Sequence, residues 1–195
     1  MITTTSNNIH WNYYLALEND LDKVSRYIEF HPNNFETFSI ELGHILLSAS
    51  SEVDVILKQI CELIKPESNC NNINKYKEII VRDLNELIDE KIFVNRFGLE
   101  FQPWENWVEN ENPNWWRSYN NVKHQRNHFY HEANLQNTLN AVGALLIVTV
   151  YLYQLEFSKE REKKLSLTKT TEKLKPSSNL LRLKDKYYQY PTYIY

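Results

Sequence analysis

Three of the six histidines, two of the seven arginines and two of the five tryptophans of this 195-residue chain fall within residues 114–134. The segment reads Asn114-Trp115-Trp116-Arg117-Ser118-Tyr119-Asn120-Asn121-Val122-Lys123-His124-Gln125-Arg126-Asn127-His128-Phe129-Tyr130-His131-Glu132-Ala133-Asn134. Imidazoles exchange protons near neutral pH, and a guanidinium fork holds phosphate charge without a metal. On a continuous helix His124, Asn127, His128 and His131 follow an i, i+3, i+4, i+7 pattern and share one face. One turn later that face becomes Leu135, Leu139 and Val142. The histidines are therefore expected at the mouth of an apolar seam.

An arginine followed five to seven residues later by a histidine occurs three times. Arg26/His31 is set aside, because Tyr27 follows the arginine and His31 precedes Pro32 at a helix end. Arg117/His124, seven apart, lie on one helix face. Arg126/His131 has the polar Asn127 next to the arginine and an Ala/Leu-rich stretch after it. Such groups suit phosphodiester cleavage in RNA, where the 2′-hydroxyl is the nucleophile, histidine moves protons and arginine steadies the phosphorane-like charge. On an ideal helix, however, Arg126 and His131 stand about 140° apart. Two other readings stay open. Arg126 shares a side with Val122, Phe129 and Ala133, as a boundary arginine paired with a carboxylate would. His124, His128 and His131 have a spacing that zinc can use, but no patterned carboxylate or cysteine completes the set, and neither metal nor cofactor is expected. The tryptophans read as core anchors before base-stacking platforms.

The run Arg126-Asn127-His128-Phe129-Tyr130-His131 resembles the signature of the HEPN superfamily: arginine, a polar residue, a few more residues, then histidine. The lead-in Trp115-Trp116…Tyr119-Asn120…Val122-Lys123-His124 is also similar to HEPN-like helices. The resemblance covers about forty residues. It implies a small helical bundle and a metal-independent RNA endonuclease of a toxin–antitoxin or anti-phage system. It further implies a homodimer that joins two copies of the motif in one cleft, and an antitoxin or sensor subunit that restrains it. Arg126 would stabilise the phosphate, His131 act as general acid/base and Asn127 orient it. His124, His128 and Arg117 form a second tier. The alternative is a non-catalytic HEPN-like module that binds RNA or a partner protein through the same cleft.

The elements that must position these groups are helical. Three glycines and six prolines, with abundant Leu, Ile, Glu, Asn and Lys, favour an all-α chain of long helices. Apolar periodicity predicts a helix from Ile9 to about Phe30, and a second, capped by Asn33 or Asn34 with Glu36 in its first turn, towards Lys65-Pro66. Ser50-Ser51 is a candidate break in it. A polar connector over 66–72 precedes a third helix over about 73–90. Residues 92–101 form a short extended or hairpin-like segment around Gly98, and a Trp-rich loop leads into a last helix over roughly 115–160. Residues 1–160 are read as the helical bundle and 161–195 as a basic, tyrosine-rich C-terminal extension.

Residues 156–195 carry ten Lys/Arg against five Asp/Glu, whereas 1–155 carry twelve against twenty. A basic tail on an acidic body can approach nucleic acid or fold back on the body. Five tyrosines within 187–195 point to an end that docks, first of all on its own body. The longest apolar run, Ala141 to Tyr153, has thirteen residues, fewer than the roughly twenty of a membrane span. With a polar start from Met1 to Asn8 and two cysteines lacking disulfide or metal spacing, the expectation is a soluble, cytoplasmic protein with no membrane partner.

Overall fold

In the computed structural model, which describes residues 8–188, the chain is mostly helical. Among the described residues there are six α-helices: α1 (Ile9–Val24), α2 (Ile40–Ile64), α3 (Ile73–Asp83), α4 (Asn114–Phe129), α5 (Leu135–Glu160) and α6 (Leu167–Lys173). A two-stranded antiparallel hairpin, β1 (Ile92–Val94) and β2 (Leu99–Phe101), pairs Ile92 with Phe101 and turns through Gly98 at φ 64°. The left-handed turn explains that glycine.

Helix α5 organises the rest. It is apolar all round, with Ala141 through Tyr153 buried without interruption, so it must be wrapped on every side. It is long and apolar enough by composition to cross a membrane, yet 89% of its most apolar window is buried inside the fold. The twenty-five-residue α2 runs along it, and α1, α4 and α6 cover its other sides. Gly143 marks the closest approach, where an added Cβ would lie 2.7 Å from a ring carbon of Phe101 and 3.0 Å from Ile92 Cγ1. The hairpin sits there only because position 143 has no side chain. The tryptophan loop is core: Trp104, Trp107, Trp115 and Trp116 are buried in contact, with successive ring centroids 4.3–5.7 Å apart. Trp104 and Trp107 lie inside the core, while Trp116 reaches the edge of a surface groove.

Several helix boundaries differ from those expected. Helix α1 stops at Val24, and turns carry the chain to Phe30. Residues Pro32–Asn34 make a separate 3₁₀ turn, and Ser39 caps α2 by accepting from the Leu42 amide at 3.1 Å. Ser50 is buried within an unbroken α2. Helix α3 ends at Asp83 because Leu84 leaves helical geometry at φ −145°. The expected single helix over 115–160 is two helices. Gln125 departs from helical backbone at φ −139° and ψ 43°, a 3₁₀ turn follows over Tyr130–Glu132, and Asn134 starts α5 afresh.

Residues 161–188 pack on the body through two buried carboxylates. Glu18 accepts the backbone N–H groups of Asn179, Leu180 and Leu181 at 2.9–3.1 Å and the hydroxyls of Tyr14 and Ser178. Glu90 accepts from Tyr151 and Tyr187 hydroxyls and pairs with Lys184 at 3.4 Å. Arg182 exchanges both backbone hydrogen bonds with Phe93 of the hairpin. The basic segment thus meets acidic groups of its own body. Of the tyrosine-rich end, Tyr187 and Tyr188 dock in this way, while 189–195 lie outside the described residues, as do 1–7.

Removing the Glu18 carboxylate strands three amide donors together. Glu18→Ala is expected to destabilise the fold by about 3 kcal/mol, read as a lower urea midpoint, with faster proteolysis of 161–188. Burial raises the Tyr14, Tyr76, Tyr151, Tyr187 and Tyr188 phenols, and carboxylates beside the first four add to it. Above their unfolded value of about 10, the unfolded state ionises first, so stability is present below that pH and lost as pH rises past it. Alkaline titration should therefore release these phenols together with the loss of helical circular dichroism.

Candidate functional site

The break between α4 and α5 shapes the site. At the start of α5 the unpaired amides of its first turn are taken by the segment before α2: Leu135 N–H donates to Thr37 O at 2.9 Å and Gln136 N–H to Phe35 O at 3.1 Å. Asn134 accepts from the Asn137 amide at 3.0 Å, capping the helix, and donates to Glu36 Oε2 at 3.2 Å. Thr138 Oγ1 reaches Leu42 O at 3.2 Å. Asn121 of α4 donates to both oxygens of Glu132, at 3.2 and 3.0 Å, which closes the turn from its other side. Phe38 meets the Tyr130 ring edge-on at 5.5 Å. Gly43 of α2 faces the turn closely, with Ala133 Cβ and the Tyr130 ring 3.5 and 3.7 Å from where its own Cβ would stand.

Between this turn and α2 lies an open groove of about 630 Å³, lined by Ile40, Gly43, His44, Arg126, Asn127 and Tyr130. Its walls are largely apolar, and Ile40 is 64% exposed. Arg126 and Asn127 are exposed in it. Among the described residues Arg126 has no hydrogen-bond or ion-pair partner, so the paired boundary arginine that the sequence left open does not occur. The Tyr130 hydroxyl is shielded from solvent and also has no protein partner. A guanidinium left unpaired above apolar walls is a receptor for an anion that brings its own flat or apolar neighbours, such as a nucleotide phosphate with its base.

The other candidates do not converge on this groove. His124, His128 and His131 are exposed but are not among its lining residues, and the break at Gln125 spoils the common face expected for them with Asn127. The same break removes the helical spacing on which a three-histidine zinc set would depend. Among the described residues no group of three or more His, Cys, Asp or Glu side chains is placed to hold a metal ion. Arg117 donates to Asn114 and lines a separate groove of about 450 Å³ with Ile73, Trp116, Asn120 and Asn121, without His124. Arg117/His124 and Arg126/His131 are thus different places, and only the second arginine is unpaired. Cys61 and Cys70 are buried free thiols. Burial, then the neighbouring Cys70, pushes the Cys61 thiol up to about 12, which removes it as a nucleophile at neutral pH.

His44 was not a candidate from the sequence. It is a lone histidine in an otherwise apolar-striped helix, with no motif around it, and only the fold brings it beside Arg126. Comparison with protein-family models, curated proteins and solved structures finds no match to this chain.

The cap that starts α5 also fixes the turn. Asn134→Ala is expected to cost about 1–2 kcal/mol, seen as a lower urea midpoint, and to speed amide hydrogen exchange over residues 130–137 ahead of the rest of α5.

Proposed function

We propose that this protein is a HEPN-like, metal-independent RNA endonuclease of a toxin–antitoxin or anti-phage system, working in the cytoplasm. The observation that carries the reading is the unpaired Arg126 guanidinium beside Asn127 in an open groove of nucleotide size. Arg126 binds the scissile phosphate and stabilises the charge that develops on it. His131 is the general acid/base and Asn127 orients the reacting groups. His124 and His128 are further imidazoles on the same exposed stretch.

Since His131 does not line the groove that holds Arg126 in its own chain, the reading requires a second copy. In a homodimer the turns of two subunits face each other, and His131 of one reaches the phosphate held by Arg126 of the other. Restraint of such an activity calls for an antitoxin or sensor subunit that covers the groove. A second reading is favoured by the apolar walls around Ile40, Gly43 and Tyr130: a non-catalytic HEPN-like module that binds RNA or a partner protein there.

Arg126→Ala and His131→Ala should each lower RNA cleavage by at least about a hundredfold while leaving circular dichroism and the unfolding midpoint unchanged, because both side chains are exposed. Mixing the two variants should restore part of the activity if the site is shared between subunits. Full activity in either variant excludes this site, and RNA binding without cleavage by the wild type favours the second reading.

A further inference from the structure

Cleavage by a 2′-hydroxyl needs two proton transfers. One group removes the O2′ proton as the O2′–P bond forms, and another protonates O5′ as the P–O5′ bond breaks. Arg126 exchanges no proton at neutral pH, and Asn127 has none to exchange. A single imidazole cannot serve as base and acid in the same step. Of the groove's lining residues, the titratable ones are Arg126, Tyr130 and His44.

We propose that His44 is a catalytic proton-transfer group, contributed by α2 to the phosphodiester held at Arg126. This inference rests on the endonuclease reading above. Three observations carry it. His44 lines the groove together with Arg126 and Asn127. It is exposed and, among the described residues, its ring has no hydrogen-bond partner, so both nitrogens are available. The histidines with a structural job look different: His10 is held by Glu52 at 2.6 Å and Gln59 at 3.1 Å, and His31 accepts the Asn33 amide at 3.2 Å. The stitching of the 130–134 turn onto α2 holds His44 and Arg126 on facing walls, as a reaction with fixed geometry requires.

In the balanced step, one neutral imidazole of the pair His44 and His131 takes the O2′ proton while the other, protonated, gives its proton to O5′. The products are a 2′,3′-cyclic phosphate and a 5′-hydroxyl, and the two imidazoles end with exchanged protonation states. Two such groups make the rate bell-shaped in pH, one limb from each.

The test is kcat/KM against pH for a short RNA in EDTA, with wild type, His44→Ala, His44→Gln, His131→Ala and Arg126→Ala. Binding of the matching all-2′-deoxy strand provides a readout independent of turnover. His44→Ala should lose about a hundredfold or more in rate, lose one limb of the bell and regain activity with added imidazole, while the deoxy strand binds within about twofold of wild type. His131→Ala should lose the other limb. A His44→Ala enzyme that keeps both limbs and nearly full rate overturns the assignment and leaves the endonuclease reading standing. A slow variant with both limbs intact and no rescue also overturns it, because that is the behaviour of a packing change. Wild type and Arg126→Ala equally inert would remove the endonuclease reading itself, and this inference with it.

Discussion

The fold depends on wrapping a helix that has no polar side. Ala141 to Tyr153 are buried in sequence, and α5 meets water only in its first turns, at Gln136, and in its last ones. Its neighbours must therefore come close, and the hairpin does so through glycine, since a Cβ at Gly143 would collide with Phe101. The 130–133 turn packs on α2 at Gly43, in ordinary van der Waals contact. It places the exposed end of α4 across from the first turns of α2, with Arg126 on one wall and His44 on the other.

The same wrapping accounts for the C-terminal segment. An acidic body and a basic tail meet through Glu18 and Glu90, each buried and each accepting hydrogen bonds from residues after 177. Buried carboxylates are costly when unpaired, so docking of the tail and folding of α1 and the 85–90 turn support each other. Charge that looked available for nucleic acid is partly spent within the molecule. The groove at Arg126, by contrast, keeps an unspent cation.

Much of the helical architecture was legible because its signals are periodic. The stripes of α1, α2 and α3, the polar connector over 66–72, the hairpin around Gly98 and the tryptophans as core anchors can all be read from residue type and spacing. The break between α4 and α5 could not, because no proline or glycine interrupts residues 114–142 and nothing in the residue types around the exposed Gln125 marks the bend there. Asn134 was its one local sign, an asparagine able to cap a new helix. The start of α2 was misplaced for a related reason: Asn33, Asn34 and Glu36 look like a helix start, but Glu36 and the carbonyls of Phe35 and Thr37 are engaged by Asn134, Leu135 and Gln136. Arg126 and Asn127 were legible as chemistry. Their union with His44 was not, since a solitary histidine on another helix carries no pattern until the chain is folded.

The central claim is that the groove holds an RNA phosphodiester for attack by its own 2′-hydroxyl. The most direct measurement is end-group analysis of RNA incubated with the purified protein in EDTA, beside the same strand carrying a single 2′-deoxy residue at the cut site. The account predicts 2′,3′-cyclic phosphate and 5′-hydroxyl ends from the first strand, and no cut at the substituted position. Cutting that persists at the 2′-deoxy residue, or that leaves 5′-phosphate ends, would contradict it.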